Sequence, residues 1–419
     1  MKKITCIADL REIASRKVPR AFFDYVCAGS YQEETLRENV DDLQKIKLRQ
    51  RVLVDMSGRD LTTTALGEKI SLPIALAPVA LTGLQYGNGE ILAAQAAHEA
   101  GIPFTLSTMS ICSIEEVAEA TGKPFWFQLY MMRDRGFIAE LIGRAKAAGC
   151  SALVLTVDLQ VLGQRHCDIH NGLSVPPELS LRNVLNMATK PAWILSMLKS
   201  KSRTFGNLAG HVKGMEDVKS LAEWTATQFD QALSWNDIAW VKGQWPGKLI
   251  LKGILDIQDA KLAVKSGADA IVVSNHGGRQ LDGAASSISI LPGIVDAVGS
   301  EMETMFDGGI RTGMDIMRAL ALGAKICLVG RSYAWGVGAG GKAGAARAID
   351  VLAKELDVTM ALCGYKRVVD VDREAVGEAA DLRCPRHGRG RGTRTGQPNS
   401  IVIDPDRKSA LVQQRRDML

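Results

Sequence analysis

The stretch Ala152-Leu153-Val154-Leu155-Thr156-Val157 is apolar at every position but one. A strand with one wet face alternates apolar and polar residues. An unbroken apolar run therefore marks a strand buried on both faces, as in parallel sheets covered by helices. Similar short runs lie upstream at residues 73–77, 103–106 and 125–129, and downstream at 248–251, 270–273, 303–306 and 325–329. Stretches with helical periodicity separate them. Eight such units predict an α/β fold, a closed (β/α)8 TIM barrel rather than an open sheet. Glycines in Ala148-Gly149-Cys150, Ser266-Gly267-Ala268 and Leu322-Gly323-Ala324 sit where a helix must close before the next strand.

Residues 1–70 precede the first strand and read as mainly helical, clearest over 33–46, so an N-terminal helical cap is expected. A long insertion, residues 171–230, follows strand four. The barrel domain is expected to span 1–371. Residues 372–419 change character: the tail is basic, glycine-rich and aperiodic, and is expected to be disordered.

The chain of 419 residues is 46% hydrophobic and 23% charged, which suits a large buried core. Its net charge of +5 is mild, and Arg383, Arg386, Arg389, Arg391 and Arg394 crowd the tail, so nucleic-acid binding by the whole protein is not indicated. Eight cysteines without a CxxC pair read as reduced thiols of a cytoplasmic protein. No apolar segment follows Met1-Lys2-Lys3, which argues against a signal peptide. No window reaches the about 18 to 20 apolar residues of a transmembrane helix.

Barrel chemistry sits at the C-terminal strand ends, where the loops converge on one mouth. The polar residues at those ends are Ser107, Gln128 with Tyr130, Thr156 with Asp158, Lys252, Ser274 with His276, Asp307, and Arg331 after Gly330. A purely structural barrel has no need of polar groups at nearly every end, so an enzyme is indicated. Asp307-Gly308-Gly309-Ile310-Arg311 and Gly330-Arg331 follow strands seven and eight, where barrels commonly bind phosphate through backbone N–H groups and arginines. Lys252 ends an apolar strand and calls for an anion, unless it snorkels out of the rim. His276 stands between Asn275 and Gly277-Gly278, with Asp158 as a plausible carboxylate partner. Arg165 and Arg279 have the planar fork that clamps a carboxylate, or form ordinary salt bridges.

Two patterns mislead. Gly336-Val337-Gly338-Ala339-Gly340-Gly341 matches GxGxxG but does not directly follow a strand. His166-Cys167-Asp168-Ile169-His170 carries metal-ligand residue types without a second cluster, so no metal site is expected.

With these residues in place, Ser274-Asn275-His276-Gly277-Gly278-Arg279-Gln280-Leu281-Asp282, Trp126-Phe127-Gln128-Leu129-Tyr130, Leu155-Thr156-Val157-Asp158 and Leu251-Lys252-Gly253 resemble the FMN-dependent 2-hydroxy-acid dehydrogenases and oxidases. The resemblance spans about residues 9–371. Ala77-Pro78-Val79, Phe104-Thr105-Leu106-Ser107-Thr108 and Lys252-Gly253-Ile254-Leu255-Asp256 look most like the bacterial respiratory L-lactate dehydrogenase branch. It implies FMN-dependent oxidation of an L-2-hydroxy acid such as L-lactate. By position, His276 would accept the proton, supported by Asp158. Tyr25, Tyr130, Arg165 and Arg279 would bind the substrate. Pro78, Val79 and Ala80 would lie along the flavin, with Ser107, Gln128, Thr156, Lys252 and Ser274 hydrogen-bonding it. Asp307, Gly308, Gly309, Ile310, Arg311, Gly330 and Arg331 would hold its phosphate.

The resemblance further implies a quinone or respiratory acceptor, a homo-oligomer (a tetramer in the family), and attachment to the cytoplasmic face of the membrane through the insertion. There, Pro191-Ala192-Trp193-Ile194-Leu195-Ser196-Met197-Leu198 precedes Lys199, Lys201 and Arg203. Competing readings are a soluble oxidase that makes hydrogen peroxide, a mandelate-type dehydrogenase, and an FMN-binding protein without catalysis.

Overall fold

The computed structural model describes residues 3–173, 180–209 and 227–377. A short antiparallel hairpin, β1 (Thr63–Ala65) and β2 (Glu68–Ile70), precedes the barrel. The eight barrel strands are β3 (Ile74–Leu76), β4 (Thr105–Ser107), β5 (Trp126–Tyr130), β6 (Ala152–Thr156), β7 (Lys248–Ile254), β8 (Ala270–Val273), β9 (Glu303–Asp307) and β10 (Cys327–Val329). They pair in parallel in the order β3-β10-β9-β8-β7-β6-β5-β4. The sheet closes on itself through a parallel bridge between Leu76 and Phe104, with Leu76 N–H donating to Pro103 O at 2.9 Å. All eight expected strands are present.

The unbroken apolar runs divide into two packing sets. In β6, Ala152 and Val154 join an interior cluster with Trp126, Ile250, Val272 and Met305, whereas Leu153 and Leu155 pack outward with the helices. Both sets are apolar because both faces are dry. The interior parity carries on to the rim. Residues two further along each strand also point inward, which brings Gln128, Thr156, Lys252, Ser274 and Asp307 to the mouth.

Gly149 takes φ +72° one residue past Ala148, the C-cap of the helix Arg135–Ala147, and its N–H donates to Lys146 O at 3.0 Å. Gly267 and Gly323 do the same after Ile257–Lys265 and Gly313–Ala321. A side chain in this left-handed region would strain the backbone, so these glycines end the helices where the sequence places them.

The N-terminal cap contains helices Ile7–Lys17, Arg20–Cys27 and Glu34–Lys45. It is less helical than expected: past residue 46 the chain is irregular up to the β1–β2 hairpin, for want of an apolar stripe at helical spacing. In the insertion, helices Leu181–Ala188 and Pro191–Leu198 are formed. Insertion residues 174–179 and 210–226 lie outside the described residues. The GxGxxG pattern falls inside the helical span Arg331–Cys363, which kinks at Gly340 and Gly341.

The body was expected to end at residue 371. The chain packs on through residue 377: Ala375 is buried, and Val376 bridges to Leu48. The compact unit containing these residues is Met1–Leu382. The rest of the expected tail, 378–419, lies outside the described residues.

Candidate active site

The C-terminal mouth of the barrel opens into a cavity of about 610 Å³. Its walls carry Tyr25, Pro78, Val79, Ala80, Tyr130, Arg165, Lys252, His276, Arg279, Asp307, Gly308, Gly309, Ile310, Arg311, Gly330 and Arg331. Residues from the strand ends and the N-terminal cap thus meet in one space. Five further candidates stand behind this lining: Asp158, Ser107, Gln128, Thr156 and Ser274.

His276 leaves β8 in the left-handed region, at φ +59°, with its N–H on Ser274 Oγ at 3.1 Å. That conformation is uncommon for a residue with a side chain and concentrates where function requires it. Nδ1 of His276 lies 2.8 Å from Oδ1 of Asp158. Burial depresses the imidazole below its ordinary value, and nearby Lys252 acts in the same direction while Asp158 opposes them. Burial works against the Asp158 charge, but His276 and Lys252 more than offset it, and the carboxyl stays below its usual range. The pair therefore rests as a carboxylate and a neutral imidazole. Nδ1 donates to Asp158 in that state, which leaves the lone pair of Nε2 free to accept a proton.

Lys252 reaches inward rather than snorkelling. Its Nζ is 3.1 Å from Ser274 Oγ and 3.1 Å from Asp307 Oδ2. Burial opposes its charge, yet Asp307 and Asp158 hold the ammonium above its usual pKa. The anion inferred for Lys252 is thus partly supplied by the protein. A polar relay continues around the barrel: Ser107 Oγ donates to Gln128 Oε1 at 3.1 Å, and Gln128 Nε2 donates to Thr156 Oγ1 at 3.0 Å. This fixes which end of the Gln128 amide faces which neighbour.

At the outer end, Arg279 Nη1 donates to the carbonyls of Tyr25 and Ala28, both at 2.6 Å. Its guanidinium carbon sits 4.7 Å from the centre of the Tyr25 ring. Nη2 is buried without a hydrogen bond and stands 3.6 Å from Asp168 Oδ2. Arg165 Nε donates to Arg279 O at 3.3 Å, and burial, then Arg279, holds its guanidinium below its usual pKa. Burial pushes the Tyr130 phenol up, and its ring packs edge-on against Phe229 at 5.7 Å.

At the opposite end, the helix beginning at Arg331 has Gly330 as N-cap, and no side chain caps it. Burial pushes the guanidinium of Arg331 down to about 9 and that of Arg311 to about 10. Arg331 donates to Val26, Ala28 and Gly277 carbonyls, and Arg311 stacks 5.0 Å from the Trp335 ring. Among the described residues neither makes an ion pair. Two partly buried cations beside an uncapped helix N-terminus fit a phosphate dianion. The long cavity between this end and His276 fits a flavin mononucleotide.

The sequence pattern of the FMN-dependent dehydrogenases matches residues 14–378. The chain belongs to the FMN-dependent dehydrogenase family. It is 46% identical over 389 residues to an L-lactate dehydrogenase of Caulobacter vibrioides, covering 92% of this chain and all of the relative. An L-lactate dehydrogenase of Vibrio cholerae is 47% identical over 374 residues, covering 89% and 99%. Among solved structures, the monotopic membrane protein (S)-mandelate dehydrogenase superposes with a TM-score of 0.85 at 32% identity, covering 90% of this chain and all of that one. This FMN-dependent dehydrogenase thus has FMN as its cofactor and oxidises a 2-hydroxy acid.

Five residues to which the sequence reading gave no role contribute. Asp168 read only as part of a metal-like cluster; it lines the cavity beside Arg279, where burial raises its carboxyl. Among the described residues no group of His, Cys, Asp or Glu is placed to hold a metal. Phe229 comes from the far end of the insertion. Asn39 and Asn275 exchange side-chain hydrogen bonds of 2.9 and 2.8 Å, tying the cap to the loop of His276. Asp282 adds to that tie by accepting the N–H groups of Gln32 and Thr35 at 2.9 and 3.0 Å. The cap that carries Tyr25 is thereby locked to the His276 loop.

Proposed function

We propose that this dehydrogenase oxidises L-lactate to pyruvate and passes the electrons to a quinone at the cytoplasmic face of a membrane. The observation that carries the reading is His276, backed by Asp158, facing the same cavity as Arg279, whose Nη2 makes no hydrogen bond and has Asp168 at 3.6 Å. An L-2-hydroxy acid offers a carboxylate to Arg279, with Arg165 and Tyr25 beside it, and a hydroxyl to Tyr130 and His276. Nε2 of His276 takes up the proton that leaves the substrate, and Asp158 stabilises the imidazolium. Bound FMN supplies the two-electron acceptor. Lys252, held cationic, stabilises negative charge that builds beside it. Asp307, paired to Lys252, is better suited to a hydroxyl of the cofactor than to its phosphate, because a carboxylate repels a dianion. Gly308, Gly309, Ile310, Arg311, Gly330 and Arg331 would take the phosphate.

The choice of lactate rests on the two lactate dehydrogenase relatives. A bulkier aromatic 2-hydroxy acid is the second reading, supported by the likeness to (S)-mandelate dehydrogenase. Membrane contact rests on the two insertion helices. They expose Leu181, Val184, Leu185, Leu195 and Leu198 beside Arg182, Lys199 and Lys201, an apolar and basic mixture that suits a lipid interface. Among the described residues no helix is long and apolar enough to cross a membrane.

The test is anaerobic bleaching of the yellow protein by L-lactate, L-mandelate and their D-isomers, followed by reoxidation with oxygen or a quinone analogue. Bleaching by L-lactate and faster reoxidation by the quinone are expected. Absence of bleaching by any L-2-hydroxy acid refutes the substrate class, and preference for oxygen refutes the acceptor.

A further inference from the structure

A second cavity of about 220 Å³ lies between the N-terminal cap, the loop of Gln85 and Tyr86, the insertion helix Pro191–Leu198 and the glycine-rich turn of the last helix. One layer of side chains separates it from the active site. Phe22 and Leu84 line the active-site cavity, and Trp193 and Gln85 line the second one. The Phe22 and Trp193 rings stack across the partition at 5.7 Å, tilted by 29°. Hydrogen bonds seal the same wall: Trp193 Nε1 donates to Leu84 O at 2.8 Å, and Gln85 Nε2 donates to Phe22 O at 2.7 Å.

The second cavity has an unmet polar requirement. Gln85 is only 1% exposed, and its Oε1 has no hydrogen-bond partner. Its Nε2 is committed to Phe22, so the amide cannot turn round to cure this. Oε1 faces Gly338, another lining residue, at 3.7 Å from where a Cβ would stand. An orphaned acceptor of this kind costs about 1–3 kcal/mol unless a donor reaches it. Cations stand at the rim, Lys17 with its Nζ 2.7 Å from Ala339 O, and Lys199 on the insertion helix. The outward side of that helix exposes Leu195 at 56% and Leu198 at 65%.

We propose that this second cavity binds the ring of the quinone acceptor, an inference that rests on the quinone-linked reading above. A quinone ring presents flat π-faces to Trp193 and carbonyl oxygens to the lysine ammonium groups. Its reduced form presents a hydroxyl that can donate to Gln85 Oε1. The lipid-soluble tail leaves past Leu195 and Leu198, towards the surface proposed to face lipid. The chemistry balances as hydroxy acid plus quinone giving keto acid plus quinol. The two electrons and two protons lost from the CH–OH group equal those that turn two carbonyls into two hydroxyls. Electrons cross the Phe22–Trp193 partition; the protons exchange through solvent at the rim.

The test uses the FMN-loaded protein and a decyl-substituted dimethoxy-benzoquinone. Ala192, exposed on the insertion helix and lining only the second cavity, is replaced in Ala192→Trp so that a ring fills the space. The expected result is a rise of roughly tenfold or more in KM for the quinone, equivalent to about 1.4 kcal/mol of lost binding. Bleaching by L-lactate should keep its wild-type rate. Independently of turnover, the oxidised wild-type protein should show saturable quenching of tryptophan fluorescence by the quinone, and Trp193→Phe should remove part of it. An unchanged quinone KM in Ala192→Trp, or quenching that is identical in Trp193→Phe, overturns the site. Displacement of the quinone from the wild type by short-chain phosphatidylglycerol, with no effect of Ala192→Trp on turnover, would assign the cavity to a lipid headgroup instead. If the wild type is not reoxidised by the quinone at all, the acceptor reading fails and the site falls with it, whereas reoxidation with an unchanged KM in Ala192→Trp overturns the site alone.

Discussion

Nδ1 of His276 lies 2.8 Å from Oδ1 of Asp158, while Oδ2 of the same carboxylate is buried without a partner. The charge of Asp158 is thus committed to the imidazole. Two changes separate its roles. His276→Gln should retain FMN, since no cofactor contact depends on the ring's basicity, but slow flavin bleaching by about 10²- to 10⁴-fold. Asp158→Asn removes the charge that favours imidazolium, so His276 becomes a weaker base. In stopped-flow bleaching, the acidic limb of kcat/KM should move to lower pH while the plateau falls. A limb that stays in place would show that Asp158 does not tune His276.

The same pair sets a pH dependence of stability. His276 is depressed below its ordinary value of 6.5 by burial. The unfolded chain therefore binds a proton that the folded one resists. This contribution favours the fold above pH 6.5 and is progressively lost as pH falls from there towards the depressed folded value. Thermal melts from about pH 5 to about 8 should show a smaller decline on the acidic side in His276→Gln than in the wild type.

Asp168 Oδ2 stands 3.6 Å from Nη2 of Arg279, which makes no hydrogen bond. Any substrate carboxylate that engages Arg279 does so against this negative charge. Asp168→Asn should therefore lower KM for L-lactate by a few fold with little change in the bleaching rate at saturation. A raised KM would show that Asp168 chiefly aligns the arginine.

Lys252 and Asp307 form a buried pair at 3.1 Å. Lys252→Met leaves Asp307 charged, buried and unmatched, which costs about 3–5 kcal/mol in comparable pairs. The expected outcome is a lower melting temperature and slower bleaching together. Lys252→Met with Asp307→Leu should restore the melting temperature but not the bleaching rate, separating stability from chemistry.

Gly309 has φ +84°, and a Cβ there would fall 2.0 Å from the carbonyl oxygen of Asn39. Backbone cannot yield as a side chain can, so Gly309→Ala should destabilise by at least about 2 kcal/mol. Because Gly309 also borders the phosphate end, the variant should release FMN more readily on gel filtration.

The barrel and its mouth were legible in the chain because strand burial leaves a period. Both faces of β6 are dry, so Ala152 to Leu155 read as an unbroken apolar run, and the polar residues that end such runs fall at the C-terminal rim by construction. His276, Lys252 and the Gly–Arg loops could be found that way. What the sequence could not hold is any relation between residues far apart along it. Asp168 lies 111 positions from Arg279 and stood in a metal-like cluster with no role assigned to it until the fold put its carboxylate beside a buried guanidinium. The insertion helix read as one apolar segment. Only packing turned Trp193 inward onto Phe22 and left Leu195 and Leu198 outward, because a segment apolar at all but Ser196 carries no period that says which side meets protein. Local periodicity thus decided which residues are strand, helix and rim, while tertiary contact decided which charges pair and where a second cavity opens, since these depend on distances that no spacing along the chain encodes.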